Sequence, residues 1–277
     1  MLVRESTLSD LRYVDNLISS DYSGFSSLKS VSDILYFQGN YPHLSLVVEE
    51  GRFIGYILAI KADEKKPLLL RKTRGNYFEV KCFLMHPKYW NELYLTELME
   101  WFFEKLKSYF AGGIAARVEL SRVEAIEFFF KYGMKVHEVS YFKPVEKSYE
   151  IYFKPAKVDL RRIEEYYSLA LSDYKFSQKD LEKHIVFLVD QENEGKCLAI
   201  AKKENSLGRV VYLAVSKEAY NSNILSKLFD SIAGELYHIG VHTLIVDCLV
   251  EKREIRRHLE ELGFRPLSYF LYMPLRD

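Results

Sequence analysis

The sequence repeats itself, and that constrains its fold more than any other feature. The run from Phe83 to Pro144 returns from Leu213 to Pro274 at one constant offset in numbering (213 − 83 = 274 − 144 = 130). Leu95, Leu98, Met99, Phe102 and Leu106 carry the apolar stripe of one helix, and Leu225, Leu228, Phe229, Ile232 and Leu236 carry it in the other. Gly133 matches Gly263 at the same offset. With no insertion across the run, the chain reads as two copies of one domain. Its 277 residues, 48% of them hydrophobic, supply two cores of ordinary size, since domains usually run to ~100–150 residues. The expected domains are 1–145 and 146–277.

Periodicity then orders the elements. In the first copy Leu2 to Glu5 reads as a strand, and Ser9 is placed to cap a helix whose face is Leu11, Val14, Leu17 and Ile18. A Ser-rich, weakly patterned region follows. Leu44–Val48 and Phe53–Ile60 form a hairpin around Glu50-Gly51. A basic loop from Lys65 to Arg74 leads to a strand from Phe78 to Met85 and a helix from about Asn91 to Phe110, which Gly112 and Gly113 are expected to stop. Ile114–Leu120, Glu124–Lys131 and Val136–Phe142 complete the order β-α-β-β-β-α-β-α-β. The second copy repeats it with Ile185–Val189, Lys196–Lys202, Arg209–Val215, Ile224–His238, Thr243–Leu249 and Leu267–Met273. Tyr149–Phe153 reads as a further strand that either copy is able to own.

Charge and cysteine content exclude several classes. The 39 basic and 39 acidic side chains cancel, so the electrostatic footprint of a nucleic-acid binder is missing. No apolar run approaches the ~20 residues of a membrane span, and no signal-peptide core is apparent. Cys82, Cys197 and Cys248 are too scattered for a disulfide framework or a metal knuckle. The expectation is a cytoplasmic protein with reduced core thiols, no nucleic-acid partner and no membrane partner. His238 and His242 stand four apart, but Gly240 interrupts the helix between them, and no metal site is expected. The long helix of the first copy, with Trp101, Phe102, Phe103, Tyr109 and Phe110, is apolar on more than one face. Such a helix is covered by the other copy or by another chain, so a homo-oligomer is one of two expectations.

The order of elements, with a strand running into a helix through Met85-His86-Pro87-Lys88-Tyr89, resembles the GNAT superfamily of acyl-CoA N-acyltransferases. The resemblance spans nearly all of both copies and implies a mixed α/β (α+β) fold. It would comprise two tandem GNAT-like domains, each a central, mostly antiparallel sheet flanked by helices. Such a sheet splays beside the strand ending at Met85 or at Val215. It also implies acetyl-CoA as cofactor, its pyrophosphate held by a glycine-rich run at a helix N-terminus. Here Trp90-Asn91-Glu92-Leu93-Tyr94-Leu95 and Tyr220-Asn221-Ser222-Asn223-Ile224-Leu225 stand in that place without a glycine. Leucine adds bulk where glycine allows close approach, and Glu92 sets a carboxylate against phosphate. Asparagine tolerates the turn better.

The family's second signature, Asn-x-x-Ala-x-x-Phe-Tyr-x-x-x-Gly-Phe, in which the Tyr is able to protonate the departing thiolate, is eroded as well. Arg122 and Phe129 in the first copy, and Lys252 and Leu259 in the second, replace its Asn and Tyr. If the cofactor binds, it is expected in the second copy, with pantetheine along Leu213, Ala214 and Val215 and pyrophosphate near Asn221, Ser222, Asn223 and Ile224. Glu79, near where some members carry a general base, is the one catalytic candidate; the alternative is a solvated strand-end charge. The resemblance implies transfer of an acyl group from acyl-CoA to a small-molecule or peptide amine, one copy being structural. The competing expectation is a non-catalytic GNAT-fold scaffold that has lost acetyl-CoA.

Overall fold

The structure, a computed structural model, describes residues 1–20, 22–62, 76–147, 149–170, 177–220 and 223–275. Its strands and helices are β1 (Leu2–Glu5), α1 (Leu11–Ser19), β2 (Ser23–Ser26), α2 (Val31–Asn40), β3 (His43–Glu49), β4 (Phe53–Lys61), β5 (Asn76–Met85), α3 (Glu92–Ser108), β6 (Ala111–Glu119), α4 (Val123–Lys131) and β7 (Lys135–Pro144). There follow α5 (Leu160–Glu164), α6 (Gln178–Leu181), β8 (Ile185–Gln191), β9 (Gly195–Glu204), β10 (Leu207–Val215), α7 (Lys217–Tyr220), α8 (Ile224–His238), β11 (Thr243–Leu249), α9 (Arg253–Glu261) and β12 (Arg265–Pro274). The chain forms two compact units, one of residues 1–62, 76–137 and 268–275, the other of residues 138–267.

In the first unit the sheet runs β1-β3-β4-β5-β6-β12. Only β5 and β6 are parallel. Alternation puts Leu46, Val48, Ile57 and Phe83 on the face covered by α3 and α4, and Val47, Tyr56, Leu58 and Leu84 on the face covered by α1 and α2. Leu98, Met99, Phe102 and Leu106, the stripe of α3, are at most 1% exposed. Each such side chain contributes ~1.5–3 kcal/mol of burial. In the second unit the sheet runs β7-β11-β10-β9-β8, with β10 and β11 parallel, and Ile224, Leu225, Leu228, Ile232 and Leu236 of α8 are fully buried.

Several expectations change. The repeat places the boundary at 145/146, but hydrogen bonding assigns the last strands otherwise. Residues 138–144 of β7 pair with β11 in the second unit, and Ser268–Pro274 pairs with β6 in the first. The Ser-rich region holds two elements that sequence alone misses, β2 and α2. The first turn before α1 is capped by Thr7 rather than Ser9, because the Asp10 carboxylate reaches back to the Thr7 N–H at 2.7 Å. The long helix ends at Ser108, with Phe110 taking the left-handed turn (φ 54°). Gly112 and Gly113 lie inside β6, where a Cβ on Gly113 would come within 2.9 Å of the Tyr272 ring. Tyr149–Phe153 is not a strand. It belongs to the second unit and lies on α8, where the Tyr152 and Phe153 N–H groups donate to Ser231 Oγ at 2.9 and 3.0 Å.

Candidate functional site

Both units open their sheets at the expected strands. In the first, parallel pairing of β5 with β6 stops at Val80↔Ala116, and a bulge at Lys81 interrupts the pairing of β5 with β4. In the second, pairing of β10 with β11 stops at Val210↔Val246, with a bulge at Val211. The two bulges stand at the repeat offset (211 − 81 = 130), and each turns the outer half of its strand away from the parallel neighbour.

In the first unit the opened edge of β5 is occupied by the chain itself. Strand β2 pairs antiparallel with it over Ser23↔Met85, Gly24↔Leu84, Phe25↔Phe83 and Ser26↔Cys82. The Ser27 N–H and Oγ both donate to the Lys81 carbonyl at 2.8 Å. Gly24 makes the approach possible: its φ is +104°, and a Cβ there would stand 2.0 Å from the Phe83 carbonyl oxygen. Aromatic rings fill the space behind. Phe25 meets Phe129 at 5.6 Å, Phe83 stacks on Phe128 at 5.1 Å, and Trp90 packs on both Phe83 and Phe128.

At the N-terminus of α3, the Asn91 side chain accepts from the Tyr94 N–H. A cavity of about 340 Å³ lies between α3 and α4, with Glu92, Glu124, Glu127 and Lys131 on its walls. Lys131 is held by Glu92 at 2.5 Å, leaving two further carboxylates facing any anion. This arrangement does not fit a pyrophosphate. Glu79, the catalytic candidate, is 6% exposed in the middle of β5, and Lys81 Nζ donates to it at 2.7 Å. Burial, and then the charge of Arg117, pull the Lys81 ammonium down to about 8.

In the second unit Leu213, Ala214 and Val215 lie on the outer half of β10, all at most 4% exposed. They lead through α7 toward Asn223, which caps α8 with φ −77°, ψ 5° and no side-chain cap bond, and toward buried Ile224. Asn221 and Ser222 lie outside the described residues, as does the basic loop of residues 65–74. The β10 edge carries an isolated antiparallel bridge, Ala170↔Ala214. Ala214 corresponds to Leu84 in the repeat (214 − 84 = 130), the partner of Gly24.

Where the strands begin to part, Arg209 Nη1 donates to both oxygens of Asp247 at 2.9 and 2.7 Å, and Ser140 donates to Asp247 at 2.6 Å. The corresponding residues of the first repeat, Glu79 and Arg117, carry the opposite charges. Sequence reasoning missed this pair, although its signal, a charge reversal at the repeat offset, was legible. Among the described residues no group of three His, Cys, Asp or Glu is placed to hold a metal, and no helix is long and apolar enough to cross a membrane.

Residues 11–134 match the sequence profile of the Acetyltransferase (GNAT) family. The whole chain aligns with a GCN5-related N-acetyltransferase of Sphaerobacter thermophilus at TM-score 0.59 and 14% identity, covering 100% of this chain and 96% of that one. The N-terminal repeat matches the GNAT family, and the whole chain has the GNAT fold. A GNAT-family acetyltransferase of Colwellia psychrerythraea aligns over the full length of both chains (TM-score 0.54, 11% identity). A conserved protein of Enterococcus faecalis aligns over 99% of this chain and 72% of its own (TM-score 0.52, 10% identity). At these identities the likeness is one of fold. A search of curated protein sequences finds no match. The chain has the fold of these acetyltransferases, and the profile match falls on the repeat whose cleft β2 fills.

Proposed function

We propose that the protein is a cytoplasmic acyl-CoA-dependent N-acyltransferase with one working site, in the C-terminal repeat, and that the N-terminal repeat is a closed structural copy. One observation carries the assignment: four residue pairs of β2 occupy the edge of β5 where pantetheine would lie. That leaves the outer half of β10. There the backbone of Leu213, Ala214 and Val215 would pair with the extended pantetheine amides. The N-terminus of α8, at Asn223 and Ile224, would face the pyrophosphate with N–H groups, and Asn221 and Ser222, which precede it in sequence, add no carboxylate. The cofactor supplies an acyl group activated as a thioester. The chain holds it in line with an incoming small-molecule or peptide amine, and positioning supplies most of the acceleration such transfers need. Arg209 pairs with Asp247 at the fork of the strands, where a carboxylate is placed to orient an amine N–H.

A second reading, a scaffold without cofactor, is favoured by the Ala170↔Ala214 bridge on the same edge. Titration calorimetry with acetyl-CoA separates the two. Binding that Ser222→Glu weakens and Glu92→Gln leaves unchanged supports the C-terminal site. Binding that Glu92→Gln strengthens places the cofactor in the N-terminal repeat and refutes the assignment. No heat with any of the three proteins favours the scaffold.

A further inference from the structure

The two opened edges are covered in the same place by different means. Gly24 pairs with Leu84 and Ala170 with Ala214, and the two covered positions stand at the repeat offset (214 − 84 = 130). Strand β2 is a lasting occupant: four consecutive pairs, two bonds from Ser27 and a buried Phe25 hold it, and glycine lets it approach to closer than a Cβ allows. The segment before Ala170 is held differently. Tyr167–Leu169 is a single 3-10 turn, and the Ala170 N–H is spent on the Tyr167 carbonyl at 3.3 Å. Tyr167 meets Tyr212 edge-on at 6.3 Å, and Tyr167, Leu169 and Ala170 are only partly buried against the core beneath. Ala170 leaves the turn in extended conformation (φ −65°, ψ 141°), aligned with the strand edge as a peptide-like ligand would be.

We propose that Tyr167–Ala170 is a displaceable strap over the cofactor edge of the C-terminal repeat, and that an acyl-pantetheine enters by exchanging its own amides for this bridge. The proposal rests on the C-terminal site assigned above. A pantetheine arm carries two amides and runs extended, so it offers β10 the same kind of partner that the strap does. Among the described residues, displacement costs one bridge and some partly buried apolar contact. That cost is subtracted from the cofactor's affinity and vanishes once the strap is moved aside. The N-terminal repeat makes no such exchange, because expelling β2 would break all of its pairs with β5.

Two measurements test this. Hydrogen exchange on the ligand-free protein reads the strap directly. Amides of Leu213–Val215 that point away from β9 are expected to exchange at least about 100-fold faster than those of Phe83–Met85 paired with β2. Equal protection would make the strap as permanent as β2 and overturn the proposal. The second uses Ala170→Cys with Ala214→Cys, since residues opposed across an antiparallel bridge lie ~4.5–5.5 Å apart at Cα, within disulfide range. Oxidised protein is expected to lose at least about 100-fold in coenzyme A affinity by calorimetry and to regain it with reductant. Unchanged binding by the oxidised form also overturns the strap. If neither wild type nor reduced variant binds coenzyme A, the assigned site fails, and hydrogen exchange alone decides whether the segment is displaceable.

Discussion

Replacing Gly24 with alanine tests whether closure of the N-terminal repeat is built into its stability. A Cβ at this position would lie 2.0 Å from the Phe83 carbonyl oxygen and 3.2 Å from the Trp90 ring. Backbone oxygen cannot yield as a flexible side chain does, so β2 must withdraw by roughly 1 Å to reach ordinary contact, which pulls apart pairs at Gly24 and Phe25. Two backbone hydrogen bonds at about 1 kcal/mol each, plus about 1–2 kcal/mol for an L-residue at positive φ, give an expected loss of about 3–4 kcal/mol. Trp90 packs against this strand pair, so urea unfolding followed by tryptophan fluorescence reports on it. The amides of Cys82–Met85 should lose hydrogen-exchange protection in parallel. A Gly24→Ala protein within about 0.5 kcal/mol of wild type, with those amides still protected, would refute the reasoning.

Other consequences follow from named contacts. Asp10 accepts two bonds from Arg4 at 2.8 Å and one from the Thr7 N–H, and these hold its carboxyl well below the usual range, the Arg4 bonds contributing most. A depressed carboxyl pKa stabilises the fold above the unfolded value of about 3.9 and loses that contribution as pH falls through the folded value. Asp10→Asn should therefore cost about 1–3 kcal/mol at neutral pH and flatten the fall in stability below about pH 4, measured by urea midpoints across pH. Ser231→Ala leaves two N–H groups, of Tyr152 and Phe153, without their acceptor and should cost about 2 kcal/mol by the same assay. Cleavage near Lys147 should yield fragments that co-elute in size exclusion under native conditions and separate only in denaturant, because the first unit includes Ser268–Pro274. Cys197 and Cys248 thiols, pushed up to about 12 by burial, should resist iodoacetamide at pH 8 until the protein unfolds.

The elements with one buried face were legible from sequence. The bounds of α8 and β11, Ile224–His238 and Thr243–Leu249, are those the periodicity marks. A stripe that must face a core at every turn leaves a pattern no other conformation needs. Strand β2 left none: Ser23-Gly24-Phe25-Ser26 is too short to show alternation, and its two middle residues are both buried. Its one signal was a glycine beside a phenylalanine in a serine-rich run. Helix α2 was hidden because Gln38, Gly39 and Asn40 dilute its last turn. The exchange of final strands was illegible for another reason. Strands β7 and β12 occupy equivalent places in the repeat, and a strand's pattern specifies its buried face rather than which neighbour it pairs with. At the candidate site, the opening of the sheet was expected from the family order of elements. What covers each opening was decided by segments outside the repeated run.

That exchange also sets a clock on synthesis. Strand β6 waits for a partner that lies far along the chain, Glu119 pairing with Ser268 (268 − 119 = 149). At ribosomal rates of ~5–20 residues per second, the interval is roughly 7–30 s. Throughout it, the N-terminal sheet ends in an unpaired edge whose Ile114, Ala116 and Val118 are fully buried in the finished protein. An exposed apolar edge is a template for pairing with other chains. The nascent protein is therefore most vulnerable while its first repeat looks almost complete.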